Sequence, residues 1–270
     1  MSGSRQLRTG IAFILAVMLL ALAGPALAPH APDALVGPTY GAPSSGAPLG
    51  YDYLGRDVWS RVLAGGQSII WMSFSASLLA LTIGALLGMA AAYARGRVDQ
   101  VIVWITDVLM AFPDLILVLL VVSMLGREPW LIVLTVSVAF IPAVARLARG
   151  VTMGIVQQEY VEAAWMMGYP WHRILLRELL PNLATPLLVQ LGIMLTWAIA
   201  MLSGLSFLGY GVAPPAADWG LMINENRAGL LVQPWAVLAP VLLIALFAIG
   251  TNLAAEGYGR SKARIDEKQG

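Results

Sequence analysis

Long apolar runs recur along this 270-residue chain, and they restrict it to a fold within a lipid bilayer. A helix needs about 20 apolar residues to cross the hydrocarbon core. Six stretches qualify: Ile11–Ala28, Ile69–Tyr93, Val101–Leu125, Trp130–Ala145, Leu183–Leu208 and Trp235–Ala255. Only 11% of the residues are charged, where a soluble domain has about 25%. We therefore predict an all-α polytopic membrane protein that forms one domain over residues 1–270.

The first apolar run admits two interpretations. Arg5 and Arg8 before it, and the small residues at 26–28 after it, resemble a secretory signal peptide. Pro29 follows at once and disfavours cleavage there. We therefore predict that the run is kept as the first transmembrane helix.

Lysine and arginine are distributed unequally between the two sides that six spans would create. Basic residues collect on the cytoplasmic side of short loops. With the N-terminus inside, twelve are cytoplasmic: Arg5, Arg8, Arg95, Arg97, Arg146, Arg149, Arg173, Arg177, Arg260, Lys262, Arg264 and Lys268. Four are external: Arg56, Arg61, Arg127 and Arg227. We therefore expect both termini and the loop 149–182 in the cytoplasm, and segments 29–66 and 209–220 outside.

Small residues at steps of four form one ladder in the second span and another in the fifth. The first ladder is Ala76, Ala80, Gly84, Gly88 and Ala92, and the second is Gly192, Thr196, Ala200 and Gly204. Because helices in lipid associate through close packing of small residues, each ladder marks a helix interface. The sequence leaves open whether the facing helix belongs to this chain or to a second membrane subunit.

The third apolar run contains two carboxylates, Asp107 and Asp114, next to Pro113. A continuous helix would point both carboxylates the same way, because their spacing is nearly two turns. A carboxylate in the bilayer normally faces protein or water. Either both line a water-filled route, or Asp107 lies at the cytoplasmic interface and Asp114 accepts hydrogen bonds near the Pro113 break.

The stretch 159–182 interrupts the apolar pattern with charges at helical spacing. One predicted helical face carries Tyr160, Ala163, Ala164 and Met167, and a second carries Trp171, Ile174, Leu175 and Leu179. Gly168 suits a helix C-cap, Pro170 suits the start of the next helix, and Pro181 is expected to end it. We predict a helix–turn–helix hairpin whose apolar face binds a groove on another protein.

Several motifs in this stretch resemble the EAA loop of bacterial ABC-importer permeases. Glu162-Ala163-Ala164 is followed at the family's spacing by Gly168, Ile174 and Leu180-Pro181. The segments 48–70, 99–117 and 205–223 are also similar to the peptide/nickel branch of that family. The chain thus resembles the second, C-type permease subunit of dipeptide, oligopeptide or nickel importers.

The resemblance implies a bacterial inner-membrane importer that this chain builds with other subunits. Those partners are a homologous second permease, two cytoplasmic ATPases that bind ATP and Mg, and an external substrate-binding protein. This chain would bind no cofactor or metal itself, and nothing in it indicates nucleic-acid binding. The implied ATPase-docking residues are Glu159, Tyr160, Glu162, Ala163, Ala164, Gly168, Ile174 and Pro181. A peptide is the expected cargo, with nickel left open.

Individual sequence features also suggest two other classes of protein. An ion-coupled secondary transporter would relay protons through Asp107 and Asp114, but it gives no role to the charged hairpin. An intramembrane serine protease would use Ser206, which needs a general base within hydrogen-bond reach. The only histidines, His30 and His172, are predicted on opposite sides of the membrane. The chain also lacks a phosphate-binding G-x-x-x-x-G-K-[ST] loop, so we expect no ATPase activity of its own.

Overall fold

The computed structural model describes residues 3–266, with side chains to residue 262. Its helices are α1 (Gly3–Leu27), α2 (Val58–Ala94), α3 (Gly96–Met110), α4 (Asp114–Leu125), α5 (Pro129–Ile155), α6 (Glu159–Met166), α7 (Trp171–Phe207), α8 (Trp219–Asn226) and α9 (Trp235–Asp266). Helices α1, α2, α5, α7 and α9 are each long and apolar enough to cross a membrane, and α3 with α4 forms a sixth, bent candidate. The predicted all-α polytopic fold is confirmed.

The third span is not the single helix that the sequence predicts. Helices α3 and α4 meet at 82° across residues 111–113. Pro113 has no N–H to donate, and its ring disfavours helical backbone at Phe112, so the hydrogen-bond ladder stops there. The expectation that Asp107 and Asp114 point the same way from one helix is therefore wrong.

Helices α2 and α5 are among the spans that are longer than predicted. Helix α2 begins at Val58 rather than Ile69, because the Asp57 carboxylate accepts hydrogen bonds from the N–H groups of Trp59 and Ser60 and caps the helix. Helix α5 continues to Ile155, ten residues beyond the predicted end at Ala145. Residues 58–66 of the segment 29–66 therefore belong to α2, and residues 149–155 of the segment 149–182 belong to α5.

Pro181 does not end the second helix of the hairpin, which is a further correction. Helix α7 runs from Trp171 through Pro181 to Phe207 and includes a π-helical stretch, Ile174–Leu179. Within it the N–H of Leu180 bonds to the carbonyl of Leu175, five residues back. Local π geometry of this kind lets a membrane helix absorb a proline without breaking. The hairpin and the fifth span are one continuous helix.

The small-residue ladder of α2 packs against α5 within this chain. A Cβ atom on Gly84 would meet the Cβ of Val144 at 2.6 Å, and one on Gly88 would collide with the Ala145 carbonyl oxygen. Ala76 and Ala80 on the same face are buried. Of the two partners left open, the helix facing this ladder is therefore one of the chain's own.

The ladder of α7 is covered along only half of its length. A Cβ on Gly192 would lie 2.6 Å from the Cβ of Ala255 in α9, and the hydroxyls of Thr196 and Thr251 are 2.7 Å apart. Ala200 is exposed, and Gly204 has open space where a Cβ would stand. The second half of this ladder is free to contact another subunit.

We predict that Gly88→Ala destabilises the chain, since an added methyl group forces α2 and α5 apart at a cost of about 1–3 kcal/mol. The melting temperature of the purified chain in detergent should fall by several degrees. Gly150→Ala is the matched control, because Gly150 lies in α5 with nothing within 4 Å of the added carbon. Equal melting temperatures for the two variants would contradict the close contact.

Candidate functional site

The hairpin consists of α6, a four-residue turn (167–170) and the first turns of α7. Gly168 has φ +74, a left-handed conformation that glycine adopts without steric cost. The N–H of Gly168 donates to the Trp165 carbonyl at 2.9 Å, and the N–H of Tyr169 donates to the Ala164 carbonyl at 3.2 Å. Pro170 is extended and directly precedes α7. The predicted helix–turn–helix and its glycine turn are confirmed.

The inner side of the hairpin packs against the helical bundle. The buried side chains are Val161, Ala164, Ile174, Leu175 and Leu179. The Arg173 guanidinium lies 4.0 Å above the Tyr169 ring, and the Asn182 amide donates to the Tyr160 hydroxyl at 3.1 Å. These contacts tie α6 to the start of α7, so the hairpin is a packed unit rather than a loose loop.

The outer side presents large apolar side chains to solvent. Trp165 is 67% exposed and Met166 is 71% exposed, and Met167 and Trp171 are exposed to a similar extent. We call Trp165, Met166, Met167 and Trp171 the hairpin surface. Exposed apolar clusters of this kind mark sites that contact another protein or the membrane.

The predicted apolar face of α6 divides differently in the structure. Tyr160, Ala163 and Met167 are exposed, whereas Val161 and Ala164 are buried, because α6 is rotated relative to the predicted pattern. Trp165 and Met166 were not among the predicted docking residues. The sequence feature that could have indicated them is the run of three large apolar residues at 165–167, directly before a glycine.

The remaining predicted docking residues lie at several depths. Glu159, Glu162 and Pro181 are exposed, and Ile174 is fully buried. Glu162 and Trp165 line a cavity of about 520 Å³ that also borders Tyr93 and Arg95 at the end of α2. Glu162 therefore faces an open groove, while Ala164 and Ile174 hold the hairpin in place.

A buried ion-pair network lies at the other end of α2. The guanidinium of Arg56 binds Asp52 at 2.6 Å and Glu225 at 2.8 Å, and Arg61 binds Glu225 at 2.9 Å. The backbone N–H of Tyr53 donates to the Asn226 side chain at 3.0 Å. These bonds join segment 29–57, the start of α2 and helix α8 into one surface.

The charges in this network balance, since two carboxylates face two guanidinium groups. Burial disfavours the charged form of Arg56, but Asp52 and Glu225 outweigh that effect and raise the pKa of Arg56 above its ordinary value. Burial, together with the Glu225 charge, raises the pKa of the Tyr53 hydroxyl, which stays protonated and donates to Glu225. The surface is therefore held by charged pairs at neutral pH.

The two carboxylates of the bent span occupy separate places. Asp107 binds Arg146 of α5 at 2.7 Å, and the neighbouring pair Asp99–Arg149 also ties α3 to α5. Asp114, the first residue of α4, lies in a cavity between α4, α5 and α7. The two carboxylates therefore line different cavities. In the part of the chain that the structure describes, no three metal-ligating side chains converge.

Neither histidine serves Ser206 as a base. His30 contacts Asp57 at 3.3 Å, and His172 stacks edge-on against Trp171. Ser206 is buried and hydrogen-bonds to Asp218, the residue that caps α8. Its surroundings are those of a packed helix end rather than a hydrolytic centre.

A bundle of membrane-spanning helices with a packed hairpin between two of them is the architecture of a membrane transport subunit. Residues 80–262 match the family of binding-protein-dependent transport system inner membrane components. The chain belongs to this family. It is a multi-pass inner-membrane protein and the permease subunit of an ABC importer, as the sequence motifs predicted.

Named relatives cover most of the chain. A protein named as a peptide transport system permease in Brucella suis biovar 1 is 34% identical over 254 residues, which is 94% of this chain and 86% of the relative. A glutathione transport system permease of Pectobacterium atrosepticum is 38% identical over 80% of this chain and 71% of its own length. Its Escherichia coli counterpart is 38% identical over 77% of this chain and 69% of its own length. Neither the family nor these relatives favour an ion-coupled secondary transporter.

We predict that Glu225→Ala destabilises the chain by about 3–5 kcal/mol, because it leaves the buried guanidinium of Arg61 without its nearest carboxylate. Glu256→Ala is the matched control, since it removes a carboxylate from the exposed pair with Arg260, worth at most about 1 kcal/mol. Melting temperatures of both purified variants check this. A Glu225 variant as stable as the Glu256 variant would show that the network contributes little.

Proposed function

We propose that this chain forms half of a translocation path for peptides or closely related solutes, in an importer driven by ATP. A homologous permease would form the other half, and an external binding protein would deliver the cargo. The names of the peptide and glutathione transport relatives support this class of cargo. The ATP and Mg would be bound by two cytoplasmic ATPase subunits, so this chain would be non-catalytic and without a cofactor.

The observation that carries the proposal is the hairpin surface. Two tryptophans and two methionines are exposed beside Glu159 and Glu162. An apolar patch rimmed by charges fits a groove on a protein partner, with the aromatic residues as anchors. Glu159, Tyr160, Glu162 and Ala163 would contact the ATPase, whereas Ala164, Gly168 and Ile174 would preserve the shape of the hairpin.

The continuity of α7 supplies a route for coupling. Because the helix runs unbroken from Trp171 to Phe207, a displacement of the hairpin moves the fifth span with it. The π-helical stretch keeps the backbone hydrogen-bonded through Pro181. ATP-driven closure of the ATPases would thus switch the spans between inward- and outward-facing states, a rigid movement of packed helices.

The proposed orientation places both chain termini and the hairpin in the cytoplasm. The excess of basic residues in the segments on the hairpin side supports it. Segment 29–57, helix α8 and the rest of 209–234 would then face outward. The buried network of Arg56, Arg61 and Glu225 would hold that surface in shape for the binding protein.

Reconstituted uptake tests the proposed energy source and cargo together. Proteoliposomes with the complete importer and its binding protein should accumulate labelled dialanine when ATP is enclosed with the ATPases. Collapsing the proton gradient should leave the initial rate unchanged. Uptake that follows the proton gradient and ignores ATP would instead establish an ion-coupled carrier.

We predict that Glu162→Arg combined with Gly168→Val abolishes uptake while the chain stays in the membrane. Reversing the charge opposes docking, and a side chain at φ +74 strains the turn by about 1–2 kcal/mol. Uptake and ATP hydrolysis should be measured on the same vesicles, together with the amount of permease. Normal uptake by this variant would refute the coupling role of the hairpin.

We predict that Trp165→Ala weakens binding of the ATPase at least about tenfold, because a buried aromatic anchor contributes about 2 kcal/mol or more to an interface. Leu231→Ala is the control, since Leu231 is 98% exposed and lies in the segment that follows α8. Titration of purified ATPase onto permease in detergent gives both affinities. Equal affinities would remove Trp165 from the interface.

A further inference from the structure

A cavity of about 240 Å³ between α4, α5 and α7 contains a charged group that the proposed coupling mechanism does not use. Asp114, Phe140, Gln190 and Trp197 line it, and Ala143 borders it. It therefore combines a carboxylate, an amide and two aromatic rings within one small space.

The residues that line this cavity belong to membrane-spanning helices. Phe140 and Ala143 are close to the midpoint of the 27-residue helix α5. Gln190 and Trp197 lie midway between Pro181 and the end of α7 at Phe207. Because the third span breaks at Pro113, Asp114 is the first residue of α4 and lies exposed at the bend within that span.

The Asp114 carboxylate has no partner in the part of the chain that the structure describes, whereas Asp107 is paired with Arg146. A carboxylate within a span does not face lipid and must meet protein or water. Its position in the first turn of α4 lets the helix dipole stabilise the negative charge. That stabilisation is smaller than the free-energy cost of placing a carboxylate within the membrane. Water or a group outside this chain must therefore solvate the charge.

The cavity opens onto a face that this chain leaves uncovered. Trp197 is 65% exposed, and Ala200 and Gly204 continue the same face of α7. Earlier along the same ladder, Gly192 and Thr196 pack on α9. In the proposed importer the uncovered face borders the path between the two permeases.

We propose that this cavity binds the protonated amine of a peptide as it passes, an inference that rests on the proposed function. The Asp114 carboxylate would neutralise the ammonium group and accept a charge-assisted hydrogen bond. The side-chain amide oxygen of Gln190 would accept a second hydrogen bond from the same ammonium group. The faces of Trp197 and Phe140 would attract the same cation. The site would favour cationic over anionic groups and would hold them briefly, as a conducting path requires.

The chain contains no cysteine, so a single engineered thiol can report the charge of the cavity. Ala143→Cys places it there, because Ala143 is exposed and borders the cavity. The assembled importer in membrane vesicles is treated with a cationic or an anionic methanethiosulfonate, and the labelled fraction of this chain is read by mass. Each rate is divided by the reagent's rate with free cysteine.

The cationic reagent should react faster, and Asp114→Asn should lower the cationic-to-anionic rate ratio about tenfold. Asp107→Asn is the matched control, since Arg146 already neutralises that carboxylate, and it should leave the ratio unchanged. Saturating dialanine should slow labelling when Asp114 is present and should protect much less after Asp114→Asn.

A ratio that Asp114→Asn does not change would overturn the proposal. So would a thiol that neither reagent reaches, which would mean that the second permease or lipid fills the cavity. A charge preference without protection by dialanine would overturn the assignment to a peptide amine. Uptake of dialanine by the unsubstituted importer is measured separately, so that failure of the proposed cargo is distinguished from failure of this site.

Discussion

Close packing of small residues is the constraint on which the rest of this structure depends. Lipid gives helices no hydrophobic reason to associate, so they must approach until their backbones touch. Gly84 and Gly88 bring α2 against α5 in this way, and a Cβ atom on Gly10 of α1 would lie only 2.6 Å from the Gly250 carbonyl oxygen of α9. Helix α2, with 37 residues, spans about 55 Å. It becomes a fixed support with the buried ion-pair network at one end and the hairpin cavity at the other.

On that support, the hairpin is joined to the bundle at both ends, to α5 through residues 156–158 and to the fifth span through α7. The hairpin is packed by Val161, Ile174 and Leu179, and it continues without interruption into α7. Because only half of the small-residue ladder of α7 is covered by α9, the remaining half and the cavity at Asp114 face away from the chain. The same helix thus begins in the hairpin and carries a side of the proposed path along its length.

Sequence periodicity predicted the elements of the fold that depend on local chemistry. The number of spans followed from apolar length, the Gly168 turn followed from glycine at a helix end, and the family followed from the motif spacing. The breaks and continuations near proline were predicted wrongly. Pro113 splits a span and Pro181 does not, because a π-helical stretch upstream absorbs the second proline. That difference depends on tertiary packing, which a pattern of apolar residues does not encode.

The sequence predicted where the hairpin lies, but not which of its side chains face the bundle and which face solvent. The hairpin was recognised, but a helix of eight residues has a weak period, so Val161 was not expected inside and Trp165 was not expected outside. The pairing of Asp107 with Arg146, 39 residues apart in sequence, had no local signal. The network of Arg56, Arg61 and Glu225 joins segments separated by more than 160 residues and was likewise invisible to spacing rules.

The most direct test of the account is gentle affinity purification of the tagged chain from its native membrane, followed by mass spectrometry of the proteins that accompany it. The account predicts P-loop ATPase subunits and one related permease in stoichiometric amounts. Recovery of this chain alone, under conditions that preserve other membrane complexes, would contradict it.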